Sequence, residues 1–163
     1  MTTRPEDDGT FWRASVRRRR LYQWFARIHG ALLVKTKGRP QAVGRTLRFL
    51  VLETVGRRSG TIRRLPLLFM PQGDDFIVIA SNYGQERPPG WFLNLQAAPD
   101  ASVLARGHRI EVHARVLEGE ERRSILPLIL DYNAHWRAYF TNVERPIPVI
   151  LLARREDPLR GST

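Results

Sequence analysis

The sequence predicts a single α+β domain: a small antiparallel barrel with helices packed on its outside. Three observations carry this. Short β-rich runs outnumber helical patterns, several runs are joined by tight-turn residues of the kind antiparallel strands use, and 163 residues with 42% apolar content suffice for one sizeable core.

Taken in order, residues 1–10 are polar and read as a disordered tail. Residues 11–35 form a basic amphipathic helix: Leu21, Trp24, Phe25, Ile28 and Leu32 recur at spacings of three and four, while Arg17 to Arg20, Gln23 and Arg27 fill the other face. Gly38, Pro40 and Gly44 mark a connector into the barrel domain, residues 36–155. Residues 49–55 are a β-rich run that stops at Gly56, and residues 64–70 are a second run, closed by the turn Pro71-Gln72-Gly73-Asp74. Residues 75–81 read as a buried strand, 82–90 as a loop rich in Gly and Pro, and 91–97 as a short helix. Residues 101–106 and 109–117 flank Gly107-His108 as a hairpin, with Ile110, Val112, Ala114 and Val116 facing inward. One helix over 120–139 and a last strand over 147–153 complete the domain, and residues 156–163 are a tail.

Composition narrows the chemistry. Without cysteine there is no disulfide, thiolate nucleophile or iron–sulfur cluster. No apolar run reaches the ~20 residues of a membrane span, and the polar, acidic start is not a secretory signal, so a cytoplasmic location is expected. The net charge is +11, and residues 1–39 hold ten Arg/Lys against three Asp/Glu. An anionic partner is therefore expected, either a ligand or an anionic membrane surface met by residues 11–35, whose helix also carries Trp12. No nucleic-acid motif accompanies the charge, and no nucleic acid is expected. Nor is a metal site, since none of His29, His108, His113 and His135 has a partner at ligand spacing.

Three stretches carry candidate chemistry. Gly56-Arg57-Arg58-Ser59-Gly60-Thr61-Ile62-Arg63 lies between two strands, where glycines can expose backbone N–H groups and the arginines and Ser59 add donors for an anion. The alternative is a solvated basic hairpin turn. Its glycine spacing is not that of a Walker A loop, and Ser59 is not in a nucleophile elbow. Ile79-Ala80-Ser81-Asn82 ends a strand in small residues that let a flat ring approach, with Trp91 and Phe92 as apolar walls and Asn94 as a polar edge contact; a strand followed by a core-packing helix would look the same. Trp136 and Tyr139, three residues apart on one helical face, could cap a ring-shaped substrate or pack the core.

In order and spacing these pieces resemble the deazaflavin-dependent nitroreductase family, the flavin/deazaflavin oxidoreductases of actinobacteria. The resembling blocks run from Leu52 to Gly60 with Arg63, Pro66 and Leu67, through Ile79-Ala80-Ser81 and Pro89-Gly90-Trp91-Phe92-Leu93-Asn94-Leu95 with Pro99. They continue through Ala114-Arg115, Glu120-Glu121-Arg122 and Tyr139…Arg145-Pro146-Ile147-Pro148-Val149. The resemblance implies a split β-barrel of FMN-binding-like type and binding of coenzyme F420, a deazaflavin with a phosphodiester and an oligoglutamate tail. It implies that Arg57, Arg58 and Ser59 hold the phosphate. Arg63, Arg64, Leu65, Pro66, Leu67, Leu68, Ile79, Ala80, Ser81, Asn82, Gly90, Trp91, Phe92, Leu93, Asn94 and Trp136 would line the coenzyme. Tyr139, Trp136 and Ser81 would be the catalytic residues, with Tyr132 also facing the substrate. Trp136 and Asn133 replace tyrosines of the usual substrate wall, and Arg58 and Asn82 replace other common residues, which points to a quinone or enone acceptor ahead of a nitroaromatic one. The expected activity is hydride transfer from reduced F420. The alternatives are an FMN-binding oxidoreductase of the same fold and a basic membrane- or nucleic-acid-binding module without catalysis.

Overall fold

The computed structural model describes residues 42–43, 47–105 and 107–155. The expected tails and the helix over 11–35 lie outside these residues, as do Gly38, Pro40 and Gly44 of the expected connector, within which Ala42–Val43 is a short strand. Among the described residues there are eight strands: β1 (Ala42–Val43), β2 (Leu47–Val55), β3 (Ile62–Leu68), β4 (Met70–Gln72), β5 (Asp75–Ile79), β6 (Asp100–Ala105), β7 (His108–Val116) and β8 (Val149–Arg154). The helices are α1 (Gly90–Ala97), α2 (Gly119–Tyr132) and α3 (Ala134–Asn142), with a short 3-10 turn over Asn82–Gly84.

Every strand pairing is antiparallel. β2 holds β3 on one side and β6 on the other, and the sheet continues β6–β7–β8–β5–β4. β3 and β4 therefore stand at opposite ends of the pairing order, yet only Phe69 separates them in the chain. That single corner residue, fully in the core with its N–H donating to the Arg48 carbonyl at 3.0 Å, curls seven strands round into a split barrel.

Period-two alternation sorts side chains onto two cores. Leu50, Leu52, Phe76, Val78, Ala80, Val103, Val112 and Leu152 point into the barrel, where Trp91, Phe92 and Leu95 of α1 join them. Ile77, Ile79, Val149 and Leu151 point the other way, onto Ile125 and Ile129 of α2 and Trp136 and Tyr139 of α3. Helices outside a small barrel are thus what the chain builds.

Several element limits differ from the expectation. The run over 64–70 begins earlier, at Ile62, and breaks at the Phe69 corner, so Met70 opens β4. The expected helix over 120–139 is two helices: Asn133 leaves helical geometry (φ −147°) and its Oδ1 accepts the N–H groups of His135 and Trp136 at 2.8 and 3.2 Å. An asparagine side chain competes well for the free N–H groups of a helix start, and here it makes one inside an otherwise helical pattern. Val116 is 37% exposed, so the inward alternation of Ile110, Val112 and Ala114 fails at the strand's last residue, where the barrel interior ends.

Candidate functional site

The β2–β3 hairpin closes on itself tightly. Gly56 N–H donates to the Thr61 carbonyl at 2.8 Å, and the Gly56 carbonyl accepts from Gly60 at 2.7 Å and Ser59 at 3.1 Å. A Cβ on Gly56 would sit 2.8 Å from Ser59 Oγ and 3.1 Å from the Thr61 carbonyl oxygen, which favours glycine there; Gly60 adopts φ +66°. Three of the turn's N–H groups are consumed inside it, so the backbone is not the anion cup that its glycines predict. The side chains carry that capacity instead. Ser59 Oγ lies 2.8 Å from Thr61 Oγ1 and accepts from Arg63 Nη2 at 3.4 Å.

The four arginines of the hairpin divide by face. Thr54 pairs with Arg63 and Glu53 with Arg64 across the ladder, so Arg63 and Arg64 point to opposite sides. Arg64 donates to Glu53, which is 5% exposed and also meets Ser102 (2.8 Å) and Arg109 (3.2 Å). Burial alone would raise the Glu53 carboxyl, but hydrogen bonds from Arg64 and Ser102 and the charges of Arg64 and Arg109 outweigh it and hold the group below its ordinary value. Arg57, Arg58 and Arg63 are exposed and make no ion pair among the described residues. This leaves three cations and a hydroxyl on one short turn, a donor set that fits an extended anion such as a phosphodiester or polyglutamate chain.

Behind the turn, α1 is anchored in the barrel. Trp91 and Phe92 are buried edge-to-face at 6.3 Å, Leu93 packs at the margin of the same cluster with Leu65 and Leu67, and Gly90 is exposed at the helix start. Asn94 is buried and faces the hairpin: its Oδ1 accepts both Arg57 N–H and Arg57 Nη1 at 3.3 Å, and its Nδ2 donates to Thr54 Oγ1 at 3.2 Å.

The end of β5 is organised by a residue whose role the sequence did not reveal. Arg145 donates from Nη2 to the carbonyls of Ala80 (3.0 Å) and Ser81 (2.8 Å) and from Nε to that of Gln85 (2.7 Å). It thereby clamps a turn in which Asn82, Tyr83 and Gly84 all have left-handed φ (48°, 52° and 76°). Such strain in non-glycine residues costs about 1–3 kcal/mol each and concentrates at functional sites. Asn82 Nδ2 adds a bond to the Arg87 carbonyl at 2.8 Å, and the turn packs against α3.

Trp136 and Tyr139 lie together on α3, 4% and 8% exposed, in the second core with Ile79 and Leu68. That core is on the face of the sheet opposite Trp91 and Phe92, so the expected site residues fall into two groups separated by the sheet. One contains Arg57, Arg63, Leu65, Leu67 and Trp91 to Asn94; the other contains Leu68, Ile79, Trp136 and Tyr139. Pro66 is half-buried opposite Val51, and Ala80 and Ser81 lie where β5 gives way to the clamped turn. Tyr132 packs against Trp136 with ring centroids 5.9 Å apart and the rings tilted by 36°, and its hydroxyl is buried without a hydrogen-bond partner among the described residues. Burial raises its pKa, against a smaller opposing pull from Arg48. Among the described residues no group of three His, Asp or Glu could hold a metal ion, and no helix is long and apolar enough to cross a membrane.

With this geometry in view, known proteins are informative. A family model described as F420H(2)-dependent quinone reductase matches residues 24–154. An F420H(2)-dependent quinone reductase of Mycobacterium tuberculosis is 30% identical over 136 residues, covering 79% of this chain and 89% of the relative. A solved F420-H2 dependent reductase superposes with TM-score 0.59 at 30% identity, covering 66% of this chain and 94% of that one. A structure described as a domain-swapped dimer gives 0.61 at 28% identity over 80% and 98%. The heme storage protein of Vibrio cholerae, 11% identical over 78% of this chain and 90% of that one, gives 0.52 and shares the fold alone.

Proposed function

The chain belongs to the F420H(2)-dependent quinone reductase family, an enzyme family whose cofactor is F420, and from that premise we propose that it transfers a hydride from reduced F420 to a quinone. Enones and nitroaromatics are the further acceptor classes. The observation that carries the reading is the β2–β3 turn, where Arg57, Arg58 and Arg63 present charge that no described carboxylate neutralises.

When bound, reduced F420 supplies the hydride from its ring carbon. The residues of the chain bind, orient and protonate. Arg57, Arg58, Arg63 and Ser59 take the phosphodiester and the glutamates of the tail by charge-assisted hydrogen bonds. Of the expected ring-lining residues, Leu65, Leu67 and Gly90 to Leu93 would border the ring on the hairpin's face of the sheet, while Leu68 and Ile79 lie on the opposite face beside Trp136 and Tyr139, and the clamped Ser81–Gly84 turn would give the site a fixed edge. Tyr139, with Tyr132 beside it across Trp136, serves the acceptor by donating a phenolic proton to a quinone oxygen. The basic helix expected over 11–35 rests on an anionic membrane, where quinones reside, while the barrel stays in the cytoplasm.

The test is direct. Given reduced F420 and menadione, the protein restores the absorbance of oxidised F420, and NADPH does not replace reduced F420, because the sequence has no Gly-x-Gly-x-x-Gly turn. Absence of F420 oxidation above the rate without protein would overturn the proposal.

A further inference from the structure

We propose that Asn94 is a positioning residue for the anion-binding Arg57 and makes no contact with the coenzyme ring; this rests on the F420 reading above. Asn94 is 7% exposed on α1, a helix fixed by burial of Trp91, Phe92 and Leu95. Its Oδ1 receives the backbone N–H and the Nη1 of the same arginine, both at 3.3 Å, which occupies both lone pairs of that oxygen. Its Nδ2 donates to Thr54 Oγ1, and Thr54 is 2% exposed near the end of β2. The amide orientation is set chemically, because turning it over would place an N–H donor against two others.

The amide thus ties three elements at one point: α1, the last residues of β2 and the first arginine of the turn. Gripping one residue at both backbone and side chain fixes the direction in which its guanidinium leaves the hairpin. Four of the five N–H donors of Arg57 are left for a ligand. A long exposed cation loses rotamer freedom when it binds an anion, and a buried amide that has already restricted it makes the site stronger without touching the ligand. With Oδ1 filled by Arg57 and the side chain buried behind the hairpin, Asn94 can accept nothing from the ring, and the polar edge contact its sequence position suggests gives way to this role.

The experiment is a fluorescence titration of wild type, Asn94→Ala and Thr54→Val. Two probes are used: F420, and the same deazaflavin lacking its phosphodiester and glutamate tail. Asn94→Ala is expected to weaken F420 roughly tenfold at low salt and to leave the tail-less probe within about twofold of wild type, with the F420 difference shrinking as salt rises. Thr54→Val, close in shape, gives a smaller loss in the same direction. In the Arg57→Ala background, Asn94→Ala adds no further F420 loss. Equal weakening of both probes, or fully additive losses in the double variant, would overturn the positioning role, since either result puts Asn94 in its own contact with the ligand. Thr54→Val in the Arg57→Ala background keeps the test open if Asn94→Ala does not fold. Wild type binding neither probe would overturn the coenzyme reading and this inference together.

Discussion

Arg58 and Arg64 lie on one hairpin and carry the same charge, but they are not equivalent. Arg64 has its guanidinium on the buried Glu53, whereas Arg58 is exposed at the turn with no ion-pair partner among the described residues. Arg58→Ala is therefore expected to weaken F420 about tenfold, the lower end of what a charge-assisted hydrogen bond of ~1.5–3 kcal/mol supports when solvent screens it. Arg64→Ala should alter coenzyme affinity less and stability more. Titration of both variants beside urea unfolding separates the two, and equal coenzyme losses would refute the division. The same logic applies to Tyr139, whose ring is in the second core but whose phenol is assigned to the acceptor. Tyr139→Phe should lower the rate with menadione more than it weakens F420 binding. Lost binding with the rate per bound coenzyme retained would move Tyr139 to the coenzyme pocket.

At the scale of elements, two polar residues do work that hydrophobic patterning does not disclose. Asn133 starts α3 from the middle of a helical sequence, and Asn133→Ala should remove the cap at a cost of about 1 kcal/mol, a fall of roughly 2–4 °C in melting temperature. An unchanged melting curve would mean that α3 is held by Trp136 and Tyr139 alone. Glu53 joins four strands: across the ladder it faces Arg64 on β3 and Ser102 on β6, and it pairs with Arg109 on β7 at 3.2 Å. Because the folded-state pKa of Glu53 is depressed, its contribution to stability is present above the unfolded carboxylate pKa and fades as pH falls through the folded value. Glu53→Gln should lower stability at neutral pH by about 1–3 kcal/mol, and the two proteins should converge as pH falls through the depressed folded value. Parallel urea midpoints across pH 3–7 would count against this.

At the scale of the molecule, most of the barrel was legible in the sequence because its strands obey a two-residue period and its turns carry Gly, Pro and Asn. The corner at Phe69 was not, since one apolar residue inside an apolar run looks like more strand. The candidate site was read from residue types, and its placement could not be. Sequence spacing brings Trp91, Asn94, Trp136 and Tyr139 into one list. The sheet, which no local pattern fixes, separates them onto two faces and gives Asn94 to Arg57. Arg145 escaped because its partners are backbone carbonyls 60 to 65 residues away, which no spacing encodes.

The choice of coenzyme is likewise a property of the whole charge distribution. The chain carries +11, and the barrel contributes an exposed turn with three arginines that pair with no carboxylate among the described residues. FMN and F420 both offer a flat ring of similar width and a phosphate, so the barrel interior and one arginine would serve either. Only F420 continues beyond the phosphate into a run of carboxylates, so under the proposed function only it would engage Arg57, Arg58 and Arg63 together. The protein should accordingly bind F420 more tightly than FMN at low salt. As salt rises and exposed charges are screened, F420 affinity should fall the more steeply of the two, and the preference should narrow. Tail length offers the finer measure: each glutamate within reach of a free arginine adds affinity, and glutamates beyond the turn add nothing. Fluorescence titration of F420 species of graded tail length beside FMN reads all three expectations. FMN affinity equal to or above that of F420 at low salt would remove the turn from coenzyme selection and leave its arginines to another anion.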